Sequence, residues 1–190
     1  MPLTMPVLAS ARLFIRPFQL DDLADAHQLL DHEAWQTGAT LDQRREWLEW
    51  TIRNYAALAQ LVQPPYGDRA VVLRESGLLV GAVGLVPALG PFARLSAFGG
   101  DGSAHHYRPE FGLFWATRRA HQRQGYAVEA ARALIAFVFE TLHAGQVVAT
   151  TDYANAASQA VMRKLGMRIE HNPQPEPAWF QVVGVLKNAV

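Results

Sequence analysis

Residues 110–127 constrain the fold more than any other stretch: EFGLFWA, then TRRAHQRQGY, then the start of an alanine-rich amphipathic segment. A β-type run that feeds a basic, glycine-bearing turn into a helix is a strand–turn–helix unit. The spacing of Ala127, Ala131, Leu134, Val138 and Leu142 predicts one apolar helix face, ending near Gly145. The first N–H groups of such a helix have no internal partner, and the helix dipole favours negative charge there. Gly125 permits a backbone angle that other residues resist, and the small Ala127 lets a ligand approach. Arg118, Arg119 and Arg123 place three positive charges here in a chain of formal net charge +0, which suits a phosphate-bearing ligand. A solvated basic turn is the competing reading. Neither GxGxxG nor GxxxxGK[ST] occurs, so dinucleotide-fold and P-loop readings lose their main support.

The rest of the chain supplies more strands and helices. Residues 12–17 read as a strand, and Asp21 is placed to cap a helix carrying Leu23, Ala26, His27 and Leu30 inward. Thr40 and Gln43 fit a capping box opening a helix with Leu48, Ile52, Tyr55, Ala59 and Val62 on one face. Apolar runs at 70–74 and 78–86 flank a turn at Glu75-Ser76-Gly77. The glycine-rich residues 87–109 read as a long connection, a kind that is usually functional. Residues 146–151 read as a buried strand, Asn155 as the cap of a helix ending at Gly166, and 167–171 and 180–187 as closing strands. No repeat or composition break divides the chain, so 1–190 is expected to be a single domain.

Composition narrows function. Zero cysteine excludes thiol nucleophiles, disulfides and Cys-containing zinc sites. Balanced charge argues against a nucleic-acid partner, whose phosphates demand a cationic excess. No apolar run approaches the ~20 residues that span a bilayer, and no charged start with an apolar run marks a secretory leader. The expectation is a soluble cytoplasmic protein with no membrane partner. His27 and His32 are five apart, a spacing that separates them on an α-helix. His105 and His106 lack a third ligand, so no metal is expected. Trp35, Trp47 and Trp50 are expected to pack around the first helices.

Gln122-Arg123-Gln124-Gly125-Tyr126-Ala127 matches Q/R-x-x-G-x-G/A, and TTDYANAASQAVMRKLGM follows at 150–167. With these two motifs the chain resembles the GNAT superfamily of acyl-CoA N-acyltransferases, in its RimJ/RimL-like branch. The resemblance is close over 110–167, and the order of elements carries it across nearly the whole chain. It implies an α+β, GNAT-type three-layer fold: a twisted mixed sheet of about seven strands with helices on both faces. The fourth and fifth strands, here 110–116 and 146–151, would splay apart to admit the pantetheine arm of acetyl-CoA. Phe114, Trp115 and Ala116 would line that arm. Gln122, Arg123, Gln124, Gly125, Tyr126 and Ala127 would form the pyrophosphate turn, and Asn155 would contact the arm near the thioester.

The implied reaction is direct acetyl transfer from acetyl-CoA, as cosubstrate, to a primary amine of a small molecule or protein N-terminus through a ternary complex. The alternative is a non-catalytic acyl-CoA-binding or sensing module of the same fold. Transfer requires a neutral amine. By resemblance Glu110 holds the place of a base, with His105 and His106 as other candidates. A glutamate near pKa ~4.3 does not readily deprotonate a lysine near ~10.4, so a bridging water or a low-pKa α-amine is favoured. Many relatives carry a tyrosine acid where this chain has Met162, a thioether with no proton to give. Ser158, one turn earlier, is the replacement candidate for meeting the departing thiolate, with Tyr153 second. Asn155 and Ser158 can also be read as helix-start residues alone. The closing strands could support a homodimer.

Overall fold

The computed structural model describes residues 4–100 and 106–189. Its elements in chain order are β1 (Leu8–Ala9), β2 (Leu13–Pro17), α1 (Leu23–His27), a π-helical continuation (Gln28–Ala34), α2 (Leu41–Gln60), β3 (Gly67–Leu73), β4 (Leu79–Gly90), β5 (Arg108–Thr117), α3 (Tyr126–Glu140), β6 (Gln146–Thr151), α4 (Ala156–Lys164), β7 (Arg168–His171) and β8 (Val182–Lys187). The strands form one mixed sheet in the order β1-β2-β3-β4-β5-β6-β8-β7. β5 and β6 run parallel, with Gly112 opposite Val148. The α+β expectation holds, with eight strands rather than about seven. The addition is β1, whose two residues pair with Phe14 and Ile15 of β2 and are too few to carry a periodic signal.

Two compact units emerge from backbone proximity, Met1–Leu85 with Phe114–Phe137, and Val86–Leu113 with Val138–Val190. In the first, Phe18, Leu29, Leu30, Leu48, Ala70 and Val72 form a core on which Trp47 and Phe114 pack. The interior strand β3 is buried on both faces over Ala70–Val72, so its apolar residues run on without alternation. A β-carbon on Gly84 of β4 would collide with the Phe114 ring, which explains a glycine there. The Thr40–Gln43 capping box is present as expected: Gln43 N–H donates to Thr40 Oγ1 and Thr40 N–H to Gln43 Oε1. Such a cap stabilises a helix by ~1 kcal/mol. The first helix starts differently. A 3₁₀ turn at Leu20–Asp22, capped by Gln19, leads into α1, whose own cap position is Asp22 rather than Asp21, and the Asp22 carboxylate accepts the Gln19 N–H. Val62 lies beyond α2 in a left-handed conformation and is exposed.

The second unit buries Phe92, Leu95, Val148, Phe180, Val183 and Val185. Here the expected long connection is largely structured. β4 continues to Gly90, and 3₁₀ turns at Phe92–Arg94 and Ser96–Phe98 follow. Phe92 has no exposed surface, and burying such a ring stabilises by ~1.5–3 kcal/mol. Phe92, Leu95 and Ala97, at irregular spacing, anchor this segment, and neither helix nor strand periodicity detects that pattern. Residues 101–105 of the connection, including the candidate His105, lie outside the described residues. His106 is exposed just before β5.

Candidate active site

In the first unit β5 delivers the turn. Phe114 and Ala116 face inward, the ring of Phe114 lying 5.6 Å from that of Trp35, while Trp115 is half-buried on the opposite side of the strand. The chain then makes a 3₁₀ turn at Arg119–His121 and reaches α3 through Arg123 at φ +61° and Gly125 at φ +87°. Two glutamine amides hold this shape: Gln122 Nε2 donates to the Thr117 carbonyl and Gln124 Nε2 to that of Ala120, both at 3.2 Å. Helix α3 begins where Glu129 N–H meets the Gly125 carbonyl at 3.0 Å. Among the described residues, none accepts a hydrogen bond from the backbone N–H groups of residues 123–128. They form a row of free donors at a helix start.

A clasp from the start of the chain holds the turn. Glu129 accepts from Ser10 Oγ (2.8 Å), Arg12 N–H (2.8 Å) and Arg12 Nε (2.7 Å). The same guanidinium donates to the Gln124 carbonyl at 3.1 Å and lies 4.5 Å above the Tyr126 ring. Burial pushes the Glu129 carboxyl upward, but the Arg12 N–H, the Ser10 hydroxyl and the Arg12 guanidinium outweigh it and hold its pKa down. No local pattern announces this clasp, because its partners lie 117 residues apart.

The arginine cluster is more divided than its sequence suggests. Arg118 is taken by Asp25 at 3.0 Å and Glu33 at 3.7 Å. Glu33 also accepts the Arg119 N–H at 2.5 Å. Burial raises the Glu33 pKa, and the bonds from Arg119, Gln28 and Arg118 lower it further than burial lifts it. The exposed Arg119 and Arg123 side chains are left to supply positive charge at the turn.

The separation of His27 and His32 expected from an α-helix is overturned. The continuation of α1 is a π-helix, whose wider turn brings residues five apart together. Their Nε2 atoms are 3.2 Å apart. His27 Nδ1 is 2.8 Å from Asp31 Oδ2, and Arg44 donates to both oxygens of Asp31 through Nε (2.8 Å) and Nη2 (2.6 Å). The Thr37 hydroxyl donates to Asp31 as well. Burial works to raise the Asp31 pKa, but these hydrogen bonds hold it well below the usual carboxylate range. Of the three tryptophans, Trp47 packs edge-on to Phe18 at 5.6 Å, whereas Trp35 and Trp50 are 49% and 60% exposed.

The second unit carries the other candidates. Glu110 Oε2 accepts from Gln146 Nε2 at 2.7 Å. Its Oε1 lies 2.8 Å from Arg108 Nε, yet is buried and makes no hydrogen bond. A buried carboxylate oxygen without a hydrogen bond calls for an explanation. Asn155 caps α4: its Oδ1 accepts the Ser158 N–H at 3.0 Å, and its own N–H donates to Asp152 Oδ1 at 2.9 Å. The Ser158 hydroxyl meets no partner among the described residues. Tyr153 is otherwise occupied, its hydroxyl donating to the Asn172 carbonyl. Met162 is fully buried against Gly184 and belongs to the core.

No helix among the described residues is long and apolar enough to cross a membrane. No group of three or more His, Asp or Glu side chains among them could hold a metal ion. Residues 12–168 match the profile of the Acetyltransferase (GNAT) domain. Two Bacillus subtilis (strain 168) proteins, the uncharacterised N-acetyltransferases YjdG and YnaD, are each 32% identical, over 36% and 55% of this chain. These matches span 40% and 54% of the relatives' own lengths. The structure of an acetyltransferase from Agrobacterium tumefaciens C58 superposes with a TM-score of 0.71 at 21% identity, covering 99% of this chain and 98% of that one. RimL, the ribosomal L7/L12 alpha-N-protein acetyltransferase solved with coenzyme A, gives 0.65 at 16% identity over 95% and 96%. At these identities the likeness is one of fold.

Proposed function

From the membership of this chain in the GNAT acetyltransferase family, we propose that it transfers the acetyl group of acetyl-CoA directly to a primary amine. Residues 1–190 act as a single N-acetyltransferase domain in this reading. The observation that carries it is the β5–α3 turn, with free N–H groups from residue 123 to 128 and a backbone held left-handed at Arg123 and Gly125. Converging donors at a helix start suit the pyrophosphate of acetyl-CoA, with Arg119 and Arg123 adding charge. Gln122 and Gln124 shape the turn through their side chains, and Tyr126 and Ala127 contribute N–H groups at the head of α3. Trp115 and the β5 backbone at Phe114 and Ala116 are proposed to meet the pantetheine arm. The Phe114 ring is already occupied in the core, so its part is through the main chain. Asn155 is assigned to the arm near the thioester through its amide nitrogen, because its oxygen is engaged in the cap.

In the reaction the amine nitrogen attacks the thioester carbonyl carbon, the C–S bond breaks, and CoA leaves as thiolate, which takes up the second proton that the nitrogen sheds as the amide forms. An ammonium has no lone pair, so a proton must first depart. Glu110 is proposed to take it, directly or through a water, at the Oε1 that lies 2.8 Å from Arg108 Nε. The Ser158 hydroxyl is proposed to donate to the thiolate, since no other described residue occupies it. The acceptor is a small-molecule amine or a protein N-terminus. RimL, by its name, acts on a ribosomal-protein N-terminus. The test is release of free CoA thiol from acetyl-CoA across a panel of amino acids, polyamines, aminated drugs and N-terminal peptides. Turnover with one acceptor class is expected. Tight acetyl-CoA binding with no thiol release from any acceptor would leave a sensing module instead.

A further inference from the structure

We propose that His27 and His32 form a binding site for a late first-row divalent cation such as Ni²⁺, Cu²⁺ or Zn²⁺. The π-helix places the two rings with centroids 4.6 Å apart and planes inclined at 74°, so that the two Nε2 atoms face one another at 3.2 Å. Two imidazole nitrogens bound to one ion at about 2.0–2.1 Å are about 2.9 Å apart at a right angle and about 3.4 Å apart at the tetrahedral angle. The observed separation falls between these limits, so an ion can enter with small ring rotations.

The tautomer is prepared as well. The ionised Asp31 carboxylate can only accept, so it takes the hydrogen on His27 Nδ1 and leaves the lone pair of the neutral ring at Nε2, directed toward His32. Asp31 is 2% exposed and is itself fixed by Arg44 on both oxygens. A carboxylate behind a ligating histidine, held in turn by further hydrogen bonds, is the usual support of a metal-binding imidazole. His32 is exposed, so solvent reaches the remaining coordination positions. With no third His, Asp or Glu in a metal-holding group among the described residues, water completes the shell and the ion is exchangeable. Without an ion the two Nε2 atoms share one hydrogen. Cation binding moves it to His32 Nδ1, so that both neutral rings ligate through Nε2. Imidazole pairs favour Ni²⁺, Cu²⁺ and Zn²⁺ over Mg²⁺ or Ca²⁺, which prefer oxygen.

The test is calorimetric titration of NiCl₂ and ZnCl₂ into the full-length chain without a histidine tag. One ion per chain is expected. His32→Gln lies on the surface and should retain the wild-type circular dichroism spectrum while weakening binding at least tenfold. Asp31→Asn should weaken it by about 10–100-fold, and His171→Gln should leave it unchanged. No saturable binding by the wild type, or wild-type affinity in His32→Gln, would overturn the site and leave the pair as a ring-to-ring hydrogen bond.

Discussion

At Gly125 a β-carbon would meet only the Arg12 guanidinium, at the ordinary distance of 3.4 Å. The obstacle to substitution is therefore the φ of +87°, which costs an L-residue about 1–2 kcal/mol. Gly125→Val should weaken acetyl-CoA binding by about tenfold with the fold intact, measured by calorimetry and circular dichroism side by side. Wild-type affinity in that variant would place the phosphate turn elsewhere. Glu110→Gln should lower kcat by ~10²–10⁴-fold with acetyl-CoA affinity nearly unchanged, checked by steady-state rates across pH. Ser158 and Tyr153 separate two roles. Ser158→Ala should slow turnover without loss of stability, because the cap uses its backbone N–H and not its hydroxyl. Tyr153→Phe should keep kcat and lose ~1 kcal/mol of stability, because it removes the hydrogen bond to the Asn172 carbonyl. A kcat defect confined to Tyr153→Phe would reverse the assignment.

The α1 segment shows what a linear reading detects at the level of elements and what it passes over. Its π-turn sets Asp31 against Arg44 of α2, with side chains 0% and 7% exposed. Arg44→Ala should cost about 3–5 kcal/mol by leaving a buried carboxylate unpaired, read as a lowered urea midpoint. An unchanged midpoint would mean that water enters and solvates Asp31. The capping box at Thr40, the Asn155 cap, the left-handed Gly166 and the β5–turn–α3 unit were all legible in sequence, because each depends on contacts within a few residues. The π-turn was not. Its hydrogen-bonding step differs from the α-helix by one residue, and the groups it meets lie on α2, at Arg44, and just after β5, at Arg118 and Arg119. The Arg12–Glu129 clasp and the packing of Phe92 were hidden for the same reason: their partners are distant in sequence.

Across the whole molecule the titrating carboxylates pull in opposite directions. Asp31, Glu33 and Glu129 have folded pKa values below their unfolded ones. Their contribution to stability is present above about pH 4 and is lost as pH falls through the folded values. Asp68 differs, because desolvation raises it to about 6, with Arg44 opposing. Its protonated form is favoured by folding, so stability is lost as pH rises from about 4 to about 6. Asp68→Asn should therefore raise the urea midpoint at pH 7.5 and leave it nearly unchanged at pH 3.5. Equal gains at both values would show that packing, not charge, is responsible. The clasp on the β5–α3 turn also has a bearing on biosynthesis. Arg12 emerges from the ribosome first, and Glu129 follows 117 residues later. At ~5–20 residues per second that interval is on the order of 6–23 s. Throughout it Arg12 has no Glu129 to bind, so the nascent chain cannot clasp the β5–α3 turn until well past its midpoint.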